Sequence, residues 1–451
     1  MAGVNILRDN IRKVFIHYLI PSMGSALVMS IYFLVDFFVV GHGVGADGLA
    51  AFSILTPMIA LQYCVGQLIG VGASVMYSTR LGEGREREGH EYFTLGLLVI
   101  VVCAVACWIV YALFHAPILT LLGASETTYP YAWDYMFWYT IFCPLAVTAY
   151  FWNAFARNDK DPVRAMAGTL CGGGLNIVLD FLFVFGFGMG ITGAALASVL
   201  GVCLNVAIVA SHFWSKKNTL RIVRPTQPGK KMPQILGSGF PSAMVELSNV
   251  FVIFFFNIQL LNYSTELAVS VYGIICNWGI LFLSLFDGIS LAMQPVCSVN
   301  FGAGQMRRVH QTRNLALFIA AVFAVVFFGF GMLCTRPVIT IFMTGTAEVF
   351  AISDQAVQIY FIAFLFMGFT LVLTGYFQSR LWMKRASICA FCRSTVFASV
   401  FVFILPQAFG IAGVWASFPA GEAAALALTL LILLGSRRGE HKSGKTTCIK
   451  G

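Results

Sequence analysis

Twelve apolar stretches, each long enough to cross a bilayer, dominate the chain. A helix needs about 20 apolar residues to span a ~30 Å hydrocarbon core. Such stretches occur at 14–41, 49–79, 92–114, 129–156, 163–185, 191–214, 234–261, 267–300, 314–333, 355–379, 386–406 and 411–435. Gly and Pro punctuate the gaps, as at Gly41–Gly48, Pro162, Gly302–Gly304 and Gly410. Hydrophobic residues make up 59% of the 451 positions and charged residues only 10%, against roughly 25% in a soluble domain. No water-soluble fold of this length buries so much apolar surface, so the bilayer is a partner of the chain. The first apolar run, which follows Arg8, Arg12 and Lys13 and reaches Val40, is too long for a cleavable signal. It is read as the first span.

The cations test this map. With an even number of spans both termini share one side. All Lys and Arg residues except Arg336 and Arg393 then fall on that side, in the terminal segments and the loops 80–87, 157–164, 216–231, 307–313 and 380–385. The positive-inside rule makes this the cytoplasmic side. The net charge of +9 therefore reflects orientation and lipid headgroups, with no nucleic-acid partner. Arg393 is expected to snorkel to the interface.

The two halves align with an offset of about 220 residues. Pro21-Ser22 matches Pro241-Ser242, Leu81–Gly84 matches Phe301–Gly304, and Gly190–Ala194 matches Gly410–Val414. Six spans per repeat preserve the topology, so the halves are parallel repeats about an axis along the membrane normal. The expected fold is an all-α polytopic membrane protein with twelve transmembrane helices in two six-helix lobes related by pseudo-two-fold symmetry. The expected divisions are an N-lobe at 1–214, a flexible cytoplasmic linker at 215–233 with Pro225, Pro228 and Pro233, a C-lobe at 234–435 and a tail at 436–451.

Carboxylates at membrane depth are expensive and need a reason. Asp36 lies five residues before Gly41, at the outer end of span 1. Asp180 lies six before Gly186, at the outer end of span 5. Both spans run inside to outside, so the two acids share a depth, with Asn176 one turn from Asp180. Such a pair shares a proton, because like charges push one ionisation up, or holds Na⁺ together with the amide oxygen. Glu246, Asn249 and Asp287 are candidates for a polar C-lobe cavity, and Glu422 lies within span 12. There is no GxxxxGK[ST] and no HExxH, and Asn158–Asp161 reads as a turn before Pro162. The lone CxxC at Cys389 and Cys392 has no second pair to complete a zinc site. The chain is not expected to be an enzyme.

Several motifs resemble the multidrug and toxic compound extrusion (MATE) family over essentially the whole length. They are Val35–Gly41, Asn176–Asp180, Gly188–Ser198 and Asn300–Gly304. The resemblance implies export of organic cations or drugs in exchange for H⁺ or Na⁺, with no other cofactor. It carries the N-lobe cation site onto Asp36, Asn153, Asn176, Asp180 and Ser198. Ser198 stands where the family usually has Thr. One branch of the family adds a Glu in span 7; here Glu246 lies about one turn from that place and Asn249 nearer to it, so the pattern is closer to bacterial branches that couple through the N-lobe. Pro21 is the expected hinge. A monomer in the bacterial cytoplasmic (inner) membrane is expected. The alternative, a flippase for lipid-linked oligosaccharide or cell-wall precursors, would line its cleft with several Arg, and only Arg393 is intramembrane.

Overall fold

The computed structural model describes residues 4–341 and 346–444, and the side chains of these except at 46, 247–251, 254, 266 and 436–444. Every element among the described residues is helical. The first lobe comprises α1 (Ile11–Gly43), α2 (Ala46–Gly82), α3 (Glu86–Leu121), α4 (Tyr129–Ile141 and Cys143–Asn158), α5 (Pro162–Asp180) and α6 (Gly190–Ala210). The second comprises α7 (Pro228–Tyr263), α8 (Glu266–Gly302), α9 (Met306–Leu333), α10 (Ala347–Phe361 and Phe364–Ser379), α11, which starts at Met383, and α12, which starts after Gly410. Nine stretches among the described residues are long and apolar enough to cross a membrane. The last of these, Met383–Gly435, holds both α11 and α12, and α4 and α7 complete the twelve spans read from the sequence.

Each break has a local cause. α4 is interrupted at Phe142, just before Pro144, whose ring cannot donate a helical hydrogen bond. The chain reverses at Gly410, where φ is 58°, a conformation that favours a residue without Cβ. The reversal is closed by Ser417 Oγ, which donates to the Phe401 carbonyl at 2.9 Å. Gly190, about 220 residues earlier, has the same φ of 58°, and Gly84 and Gly304 are likewise matched at 75° and 71°. The repeat is thus present in the backbone as well as the sequence.

The lobes meet along α1–α8 and α2–α7, where backbones touch on the side that carries the basic loops. A Cβ on Gly72 would strike the Ile235 carbonyl, and one on Gly239 the Leu68 carbonyl. Gly82 faces the Val299 carbonyl and Gly302 the Thr79 carbonyl. Beside this seam Asn158 and Gln294 exchange two side-chain hydrogen bonds across the lobes, at 3.3 and 3.2 Å. Phe15 and Tyr18 of α1 are buried in the core of the second lobe, and Ile235 of α7 in the core of the first. The two cores therefore interlock through the first helix of each lobe. On the opposite half a cavity of about 670 Å³ separates the lobes, and Gln294 is among its lining residues.

The linker is held at two points, which corrects the expectation of a flexible strap. Asp159 accepts from Tyr77 (2.9 Å) and the Thr219 N–H (2.8 Å) and contacts His212 Nε2 at 2.8 Å. Asp161 binds Lys217 and Arg164, each at 2.9 Å. Burial opposes ionisation of Asp161, but bonds from His212, Lys217 and Arg164 outweigh it and hold this carboxyl well below its ordinary value. Further along, Glu91 of α3 pairs with Lys231 and accepts from the Thr226 N–H at 3.1 Å. The partners lie on α3 and in the α4–α5 loop, so the Pro-rich composition of the linker gave no sign of them.

The seam generates a prediction. Gly239→Ala places a methyl against backbone that cannot yield and should lower the apparent melting temperature of the detergent-solubilised protein by several degrees, in line with ~1–3 kcal/mol for overpacking. Gly273→Ala, with open space around the new Cβ, should leave it unchanged or slightly raised. Thermal unfolding of the two variants side by side checks this.

Candidate functional site

Asp36, Asn176, Asp180 and Ser198 converge inside the first lobe. Gly172 of α5 and Gly201 of α6 sit backbone against backbone, and this close approach brings Asn176 and Ser198 together. Ser198 Oγ donates to Asp36 Oδ2 at 3.3 Å and accepts from Asn176 Nδ2 at 3.4 Å. Asp180 is fully buried and lies within hydrogen-bonding reach of Asp36. A π-helical turn, Phe181–Gly186, follows it directly, a geometry frequent at functional sites.

The cluster is rich in acceptors and poor in donors. Asp36 Oδ1, Asn176 Oδ1 and both oxygens of Asp180 are buried without a hydrogen-bond partner. A proton between the carboxyls, or a hard cation among these oxygens, would satisfy them. Asn153 lines the same cavity of about 150 Å³, but its Nδ2 donates to Asn205 Oδ1 at 2.9 Å and it is one layer removed from the carboxyl pair. Asn205 was missed in the sequence, as was Thr169, which accepts from it at 3.4 Å. The signal was available: Thr169 lies two turns from Asn176, and Asn205 two turns from Ser198, on the same faces.

Glu246 and Asp287 both line the central cavity and are close enough to interact. Gln67 of α2 reaches Glu246 from the other lobe. The Asn249 side chain lies outside the described residues. Glu422 does not line the cavity. It forms a two-pronged ion pair with Arg393, at 3.0 and 2.9 Å, with both side chains under 10% exposed. This corrects the snorkelling expectation: the α11–α12 reversal places a carboxylate beside Arg393, so the guanidinium stays inside. Pro21 lies within the unbroken helix α1. It has no N–H to donate, and Ser25 Oγ donates to its carbonyl at 2.9 Å.

Two blocks of the chain, residues 21–182 and 241–404, match the MatE family model. The chain belongs to the MatE family. It is 24% identical over 431 residues to the multidrug export protein MepA of Staphylococcus haemolyticus, covering 95% of this chain and 94% of that protein. It superposes with a TM-score of 0.90 on a structure described as the outward-facing conformation of a multidrug resistance MATE family transporter of the MOP superfamily, at 23% identity over 97% of this chain and 98% of that one. A MATE in the straight conformation superposes at 0.89, with 24% identity and the same coverage. These likenesses show the twelve-helix, two-lobe fold. Like other MatE members the chain is a membrane transporter and not an enzyme.

The Arg393–Glu422 pair gives a second prediction. Arg393→Ala strands a buried carboxylate and should cost ~3–5 kcal/mol, whereas replacing both members, Arg393→Met with Glu422→Leu, should recover most of that loss. A double-mutant cycle on apparent melting temperature checks it; a loss in the double variant equal to the sum of the two single losses would show that the pair does not act as one unit.

Proposed function

We propose that this transporter exports organic cations or drugs in exchange for H⁺ or Na⁺ by alternating access, and that Asp36 and Asp180 couple the two fluxes. The observation that carries this reading is the buried carboxyl pair with its unpartnered oxygens. Two carboxylates in one apolar pocket cannot both remain bare. An ion from outside joins them, pulls α1 towards α5 and α6, and alters the cleft that α1 lines. Pro21, where α1 lacks a backbone bond, is the hinge. One charge moving down 100 mV supplies about 2.3 kcal/mol.

The cleft suits a cation. Glu246 and Asp287 are among its lining residues, with Tyr63, Tyr150, Tyr272 and Tyr360, and among the described residues no Lys or Arg lines it. A lipid diphosphate would need cations there, so the flippase reading is not favoured. By the positive-inside rule the seam and both termini face the cytoplasm, and the cavity opens outward. Each lobe supplies residues to one cleft, so the monomer is a complete transport unit. The naming of the MepA relatives as multidrug exporters supports the substrate class.

The test is ethidium efflux from energised bacterial cells expressing wild type, Asp36→Asn or Asp180→Asn, with Na⁺ present or replaced by choline. Each variant should reach the membrane and lose at least ~90% of efflux. Loss on Na⁺ replacement would assign Na⁺; loss on collapse of the pH gradient would assign H⁺. Wild-type efflux rates in both variants would remove the pair from coupling.

A further inference from the structure

We propose that Tyr32 and Tyr63 form a hydroxyl bridge that carries protons between Glu246 in the central cleft and the buried Asp36–Asp180 pair. This rests on the coupling reading above, with H⁺ as the ion, and supplies the route by which the ion reaches the pair. Both carboxyls are buried, so a proton from the cleft needs a chain of donors and acceptors to arrive there.

The N-lobe cavity and the central cavity share one wall. Residues of α1, α2, α4 and α8 line both, and the polar ones among them are Tyr63, Gln67 and Tyr150. Tyr32 and Asp36 line the N-lobe side alone, Glu246 the cleft side alone. Across this otherwise apolar wall the Tyr32 and Tyr63 hydroxyls meet at 3.1 Å, within the distance over which a proton passes. Either oxygen can donate, so the bond serves both directions. The Tyr63 ring packs on Tyr150 with centroids 4.9 Å apart, which holds the hydroxyl in the wall.

Each end of the bridge faces a carboxyl. Tyr32 lies one turn before Asp36 on the same face of α1, and Asp36 Oδ1 has no hydrogen-bond partner. The cavity of about 150 Å³ between them has room for a linking water. On the other side Gln67, one turn after Tyr63 on α2, reaches Glu246. Tyr63 is within electrostatic range of both Asp36 and Glu246. Among the described residues the other charged groups lining the two cavities are Asp287, which acts on Glu246, and Arg157, buried in the last turn of α4. The transfer balances without an intermediate. Glu246 gives its proton through water to the Tyr63 oxygen, Tyr63 gives its own to Tyr32, and Tyr32 gives its own to Asp36. One proton leaves Glu246, one arrives at Asp36, and both phenols end neutral. The reverse sequence unloads the pair.

Stopped-flow mixing of the purified full chain with ethidium in weakly buffered detergent tests this, with dye fluorescence reporting binding and pyranine reporting released protons. In wild type the two signals should rise together. In Tyr63→Phe and Tyr32→Phe, which keep the rings and remove the hydroxyls, proton release should lag dye binding by at least about tenfold and reach the same final amplitude. Each variant tests the same bridge, so one suffices if the other does not fold. Tyr111→Phe, whose hydroxyl bonds the Met58 carbonyl away from both cavities, should behave as wild type. Proton release without a lag in the Tyr32 and Tyr63 variants, or a smaller final amplitude in them, would overturn the bridge and leave coupling by the carboxyl pair standing. Release of Na⁺ in place of H⁺ by wild type would do the same. A wild type that binds ethidium and releases neither ion would overturn both.

Discussion

Two carboxyl groups buried together in a helix bundle set the terms for the rest of this molecule. Among the described residues no basic side chain pairs with Asp36 or Asp180, and three of their four carboxyl oxygens are buried without a hydrogen-bond partner. The available donors are Ser198 to one Asp36 oxygen and, through Ser198, the amide of Asn176. Left bare, the pair would force its own protonation or push α1 away from α5. In the proposed coupling, an ion bound there draws them together and turns a change in occupancy into a change in the position of α1, which is among the helices lining the central cleft.

The joint between the lobes is what such a movement would act on. On one half of the membrane they meet backbone to backbone at glycines on α2, α7 and α8, without intervening side chains. Such a seam is either closed or open, since a partial separation would lose packing without admitting anything in return. Asn158 and Gln294 add a reciprocal amide pair at the floor of the cavity. The repeat does not reproduce this pair: Gln378, at the position equivalent to Asn158, stays within its own lobe and donates to Ser242 Oγ at 3.1 Å. The two lobes are alike in topology and unlike in chemistry, with the carboxyl pair in one and the buried Arg393–Glu422 pair in the other.

Much of this was legible in the sequence because membrane depth converts position into height. Counting residues back from Gly41 and Gly186 put Asp36 and Asp180 in one layer, and the helical period put Asn176 beside them. Ser198 and Asn153 came through the family resemblance, and the structure places Ser198 in the cluster and Asn153 one layer away. What could not be read depends on pairings between distant segments. Arg393 finds Glu422 only because the chain reverses at Gly410. The linker is pinned by Asp159 and Glu91, which its own composition does not reveal. Arg157 counted as a loop cation because nothing local says which way the last turn of α4 faces. Asn205, by contrast, was within reach of the helical period from Ser198.

The measurement that bears most directly on coupling is ion release on substrate binding. Purified protein in weakly buffered detergent solution, with a pH indicator or a Na⁺-sensitive dye, is mixed with ethidium. The account predicts that wild type releases H⁺ or Na⁺ as ethidium binds, and that Asp36→Asn and Asp180→Asn bind ethidium without that release. Undiminished release from both variants would contradict it and place the coupling ion elsewhere in the protein.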